Sequence, residues 1–183
     1  LYNTVDTIIV GQTVGTSALA AVGSTGNLTN LIINFYVGLS TGASVVIAQY
    51  YGAQNNKKIH QAVHTSYCLA IVSGILMMLF GLFFSYQCLD AIGTPHDILN
   101  DATLYMQLYF LCMIPGAIYN IGAGILRAVG DSKRPLYYLI VCSIVNVVFD
   151  FIFVVIFHQG IAGAAIATVI AQSVCAILVT IQL

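Results

Sequence analysis

The sequence predicts an all-α, polytopic membrane helix bundle of about six spans, and three observations predict it. Charge is scarce: only 6% of the 183 residues are Asp, Glu, Lys or Arg, against about 25% in ordinary soluble domains. The scarcity is patterned, because residues 59–89, 102–126 and 151–183 contain no charged residue at all. About 20 apolar residues suffice to cross the hydrocarbon core. Composition agrees, with 60% apolar residues and neither Glu nor Trp. A net charge of −1 with no basic patch beyond two short loops leaves nothing to attract nucleic acid. Five cysteines, at 68, 88, 112, 142 and 175, show no zinc-ligand spacing and read as small packing residues.

Leu1 to Val10 reads as the outer end of a first helix, carrying Asp6. The sequence starts without Met or a charged leader, so this helix is expected to be truncated and the chain to be a piece of a longer protein. Gly11 to Gly23 holds turn residues and alanines, and a second helix of roughly Asn27 to Gln54 follows. Its Asn27, Asn30 and Asn34 fall on one face as a polar stripe, a candidate wall for a substrate cavity. Gly38 and Gly42 form a small-xxx-small pair suited to close helix packing. The third helix is expected over about Ala62 to Gln87; His60 and His64, spaced for a metal but lacking a third ligand, read as surface residues.

Thr94-Pro95-His96-Asp97 has the form of a helix start, with Thr94 at the cap and Pro95 at the first helical position. The fourth helix runs from there to about Arg127, carries Tyr105, and should kink at Pro115. The fifth spans about Leu136 to Phe157. A tight turn at His158-Gln159-Gly160 leads into the sixth, which has a small-residue seam at Gly163, Ala167 and Ala171.

All five basic residues fall in two places, 55–58 and 127–134, separated by two helices and therefore on one side. The positive-inside rule makes those loops cytoplasmic. The turn at 158–160 is then external, and Asp150 lies about 10 Å below the outer surface at about 1.5 Å per residue. Asp6 falls at a similar depth. Asn146 and Asp150, four apart, share one helix face. A carboxylate in so apolar a segment costs about 2.5–3.5 kcal/mol on insertion scales unless it is protonated, ion-bound or facing water. With the Thr168 hydroxyl and the Asn146 amide as neutral oxygens, the two acids suit Na⁺, a hard cation that favours oxygen ligands. Protons compete for the same groups, which is the chemistry of an antiporter.

The segments VDTIIVG at 5–11, ALAAVG at 18–23, GLSTGASVVIAQYYGA at 38–53, RAVGDSKRP at 127–135 and NVVFD at 146–150 together resemble the multidrug and toxin extrusion (MATE) transporters. The resemblance runs along the whole chain. It implies a fold of twelve membrane helices in two six-helix lobes, with residues 1–183 as most of the N-terminal lobe and the C-terminal lobe absent. It also implies export of small organic cations across a prokaryotic plasma membrane in exchange for Na⁺ or H⁺, with no cofactor beyond that ion. By similarity to the branch named for DNA-damage inducibility, Asp6, Asn146, Asp150, Tyr105 and Thr168 correspond to the cation site, Tyr105 being the loosest match.

Other readings fit less well. A flippase for lipid-linked oligosaccharides, in the same wider superfamily, would bring a basic cavity where this chain offers acids. Intramembrane aspartyl proteases read YD and GxGD; here Asp6 follows Val5, Asp150 follows Phe149, and the nearest match to GxGD, Ala128-Val129-Gly130-Asp131, lies in a basic loop. The expectation is therefore a transporter and not an enzyme. A passive channel would show flux without coupling.

Overall fold

In lipid, backbone groups have no water to bond, and a helix satisfies them within its own segment. The computed structural model describes residues 16–183, and every element among these residues is helical. Helix α1 spans Thr16–Ser24, α2 Gly26–Gly52, α3 Asn56–Ala91, α4 His96–Phe110, α5 Met113–Ala128, α6 Lys133–Asp150 and α7 Gly160–Gln182. A π-helical segment, Phe151–Ile156, continues α6. Among the described residues four helices are long and apolar enough to cross a membrane: α2, α3, α6 with its π segment, and α7. The α4–α5 pair, bent by 48°, makes a fifth if it counts as one span. The expected first helix, with Asp6, lies outside the described residues.

Several boundaries differ from expectation for identifiable reasons. The alanine-rich part of the 11–23 stretch is helical as α1, in keeping with the high helix propensity of Ala. Helix α3 starts earlier than expected because Asn55 caps it, its side chain accepting from the Lys58 amide at 3.2 Å. Lys57 and Lys58 thus sit in a first turn, not a loop. Helix α4 begins at His96 with Pro95 in the cap position, and Pro95 holds an extended ψ of 137°. Thr94 does not cap; its Oγ1 is buried without a hydrogen-bond partner.

The expected kink at Pro115 is a full break. Pro115 has no N–H to give the carbonyl of Leu111, so the chain closes α4 with tight bonds instead, Leu111 N to Leu108 O at 3.1 Å and Cys112 N to Tyr109 O at 2.9 Å. Helix α5 then restarts with Pro115 in its first turn, where a missing N–H costs nothing. Helix α3 holds both sides of this break in place. A Cβ on Gly74 would sit 2.8 Å from Ile114 Cα, and one on Gly81 would fall inside the Phe110 ring.

Helix α6 is inverted relative to a surface helix of a soluble protein. On α6 the buried positions are Pro135, Cys142, Asn146 and Asp150. Leu136, Ile140, Ile144, Val147 and Val148 of the same helix are exposed. On this helix large apolar side chains face outward, as a lipid solvent favours, and Asn146 and Asp150 face inward. The small-residue seam of α7 is buried as expected, with Gly163, Ala167 and Ala171 facing its neighbours. Gly38 and Gly42 of α2 behave differently from expectation. A Cβ on either would meet nothing within 4 Å, and both line an open groove of about 570 Å³ between α2 and α3. They pack against no helix among the described residues.

Candidate functional site

The stripe on α6 is the starting point. Its 142, 146, 150 spacing keeps these side chains on one face, and α6 turns that face toward α7. Asn146 and Asp150 are both 0% exposed, as is Thr168 on α7. Antiparallel packing brings Asn146 level with Thr168, and Asn146 Nδ2 donates to Thr168 Oγ1 at 3.3 Å. The amide's other end is unsatisfied: Asn146 Oδ1 is buried without a hydrogen-bond partner. Leaving a buried acceptor bare costs about 1–3 kcal/mol.

Tyr105 is also 0% exposed, on α4, which packs against α7. Its ring stacks on Tyr109 one turn along, centroids 6.1 Å apart. The structure therefore joins Asn146 and Thr168 directly, sets Asp150 one turn away on the same face, and buries Tyr105 on a helix adjoining Thr168. Asp6, the remaining expected member, lies outside the described residues. Asn27, Asn30 and Asn34 do not join this cluster; all three are exposed on the outward face of α2.

Immediately beyond Asp150 the helix changes register. Phe151–Ile156 is π-helical, closed by Phe157 N to Ile152 O at 3.0 Å, an i to i+5 bond. An uninterrupted α-helix to Phe157 was expected. The difference traces to α7, where Gly163 presents no side chain: a Cβ there would sit 3.0 Å from Phe153 Cβ and 3.1 Å from the Phe153 carbonyl carbon. The widened turn lodges Phe153 against that bare backbone. Phe149, Phe153 and Phe157 stack along the segment, with centroids 5.7 and 6.2 Å apart. The turn into α7 follows at 157–159, His158 taking a left-handed φ of 53°.

Gln172 is not among the expected site residues. It follows Thr168 by four on α7, and its Oε1 is buried without a partner. That spacing is the signal in the sequence that could have found it. His60 and His64 are exposed with ring centroids 4.5 Å apart, and among the described residues no cluster of three or more His, Cys, Asp or Glu could hold a metal ion.

The basic residues gather at the opposite end of the bundle from Asp150. Tyr67 near the start of α3 meets Thr180 near the end of α7 at 3.4 Å, and Tyr138 near the start of α6 meets Gln182 at 3.4 Å. Arg134 pairs with Asp131 at 3.1 Å in the connection between α5 and α6.

Comparison with known proteins decides the lineage. The MatE family profile matches residues 1–152. The chain belongs to the MatE family. Members of this family are multi-pass membrane transporters and not enzymes, which removes the protease reading. The chain is 33% identical over 165 residues to the probable multidrug resistance protein YoeA of Bacillus subtilis (strain 168), covering 88% of this chain and 36% of that one. It is 27% identical over 173 residues to the DNA damage-inducible protein F of Escherichia coli (strain K12), covering 94% of this chain and 38% of that one. In structure it resembles a MATE crystal structure in the bent conformation, with a TM-score of 0.94 and 28% identity over 98% of this chain and 40% of the other. The MatE chain described here thus spans well under half the length of the relatives it matches.

Proposed function

We propose that residues 1–183 form the N-terminal lobe of a two-lobe secondary transporter that exports organic cations in exchange for Na⁺ or H⁺. Asp150, Asn146, Thr168 and Tyr105, together with Asp6, hold the coupling ion. The observation that carries this reading is the fully buried stripe on α6, where an amide and a carboxylate stand one turn apart against the Thr168 hydroxyl. A carboxylate so placed in a lipid-facing helix is costly unless a proton, an ion or water attends it. Carboxylate, amide and hydroxyl oxygens are also what a hard monovalent cation prefers. Family membership and relatives named for multidrug resistance support multidrug efflux in general.

In the proposed cycle, the outward-facing protein takes up the ion at Asp150 and Asp6, and rearrangement of α6 and α7 expels the bound drug. Facing the cytosol, the ion leaves and the anionic cavity accepts a new lipophilic cation, for which aromatic and apolar walls are suited. The Asn27, Asn30 and Asn34 stripe lines the substrate path between this lobe and the second. The basic ends at 55–58 and 127–134 face the cytoplasm of a prokaryotic cell, in its inner membrane.

The test uses the full-length protein in inverted membrane vesicles, following uptake of a fluorescent organic cation under a proton or a sodium gradient. Gradient-driven uptake that disappears in Asp150→Asn, with the variant still folded, is the expected result and names the ion. Coupled uptake retained in that variant sinks the assignment of Asp150. Absence of uptake under either gradient across several dyes would favour a flippase.

A further inference from the structure

Among the described residues, two buried side-chain amide oxygens have no hydrogen-bond partner. One is Asn146 Oδ1; the other is Gln172 Oε1. Gln172 lies one helical turn beyond Thr168, about 5.4 Å along the axis toward the end of α7 that meets α3 and the start of α6. It is aimed at α5. A Cβ built on Gly116 meets nothing within 4 Å except Gln172 Oε1 itself, at 4.0 Å. The carbonyl of Gly116 is already taken by Asn120 Nδ2 at 2.8 Å. Gly116 and Gln172 are both partly exposed, and the space they border between α5 and α7 is faced by a buried amide oxygen that accepts from nothing. An amide oxygen cannot hold a proton as a carboxylate does. It can accept from a donor or ligate a hard cation.

Resting on the reading of Asp150 and Asn146 as the coupling-ion site, we propose that Gln172 Oε1 and the gap at Gly116 form an inner station for the same ion. The station receives Na⁺, or the hydronium that carries H⁺, one turn to the cytoplasmic side of Thr168. Two bare oxygens in succession, Asn146 Oδ1 and then Gln172 Oε1, give an ion leaving Asp150 a second ligand before it gives up the first. Gly116 is the residue that leaves room for it. Gln172 is a ligand in transit here, and it leaves the drug's own contacts alone.

The experiment reconstitutes the full-length protein in proteoliposomes and measures drug uptake against luminal Na⁺ or luminal pH. Gln172→Leu removes the oxygen. Gly116→Ala fills the gap with a methyl group whose 4.0 Å contact forces no neighbour to move. Each is expected to raise the luminal cation concentration for half-maximal uptake about tenfold, with the KM for the drug within about twofold of wild type. Gln172→Asn, which keeps the carbonyl, is expected to recover much of the shift. Wild-type cation dependence in both Gln172→Leu and Gly116→Ala overturns the station, as does a change confined to the drug KM, which would make Gln172 part of the drug wall. If Gln172→Leu fails to fold, Gly116→Ala carries the test alone. Asp150→Asn runs in parallel: if it abolishes coupling while the other variants behave as wild type, only the inner station falls. If it retains coupling, the site and the station fall together.

Discussion

Two polar stripes run along membrane helices of this bundle at helical spacing, and they meet opposite environments. On α2, Asn27, Asn30 and Asn34 are exposed, while Thr29, Ile32 and Tyr36 of the same helix face the core. On α6, Asn146 and Asp150 are buried, while Ile144, Val147 and Val148 of the same helix are exposed. Both stripes contain asparagine, and both belong to helices apolar enough to span. The difference is what each helix has behind it. Helix α6 turns its stripe to α7, whose glycine and alanines let Thr168 come within hydrogen-bond reach. Helix α2 turns its own serine to α5, with Ser40 Oγ donating to Asn120 O at 2.5 Å, and leaves the asparagines outside. Residue type and spacing therefore nominate a polar site in a membrane protein. Packing decides whether such a stripe is enclosed within the bundle or left on its outer face.

The comparison can be broken or sharpened by substitution in the full-length protein. Asp150→Asn should have the largest effect, lowering gradient-driven export by about 100-fold or more while leaving the melting temperature of the purified protein near wild type. Thr168→Val and Asn146→Leu should each weaken cation dependence by about tenfold, read as the ion concentration for half-maximal uptake. Thr29→Val makes the contrast on α2. Thr29 is as buried as Thr168, but its Oγ1 has no hydrogen-bond partner. Removing that hydroxyl should leave export unchanged and raise the melting temperature by about 2 °C in a thermal melt. Asn30→Ala should be smallest of all, with cation dependence unchanged within about twofold and any effect confined to the apparent KM of particular drugs. An Asn30→Ala protein with cation dependence shifted as far as in Asn146→Leu would erase the distinction between the stripes.

Much of this was legible in the sequence, because the bilayer imposes one simple rule on composition. Charge-free runs located the spans, the spacing of Asn146 and Asp150 put them on one face, and Gly163, Ala167 and Ala171 identified the packing seam of α7. The turn near 158 and the disturbance by Pro115 were also readable, since each has a local cause. What escaped was set by partners distant in sequence. Gly163 of α7 accommodates the widened turn of Phe151–Ile156, and Gly74 and Gly81 of α3 receive the broken α4–α5 span. The failure of Thr94 to cap has a local cause instead, since the extended Pro95 starts the helix one residue later than the motif implies. The spacing of Gln172 from Thr168 was readable, but its unpartnered oxygen can be seen only once its neighbours are in place.

The central claim is that drug and coupling ion are exchanged through the buried stripe of α6. The most direct measurement adds an organic cation to the purified full-length protein in weak buffer and records released protons with a pH dye and displaced Na⁺ with ²²Na⁺. The account predicts that wild type releases one of these ions on drug binding and that Asp150→Asn releases neither, while Asn30→Ala releases as much as wild type. Ion release of wild-type size from Asp150→Asn would contradict it.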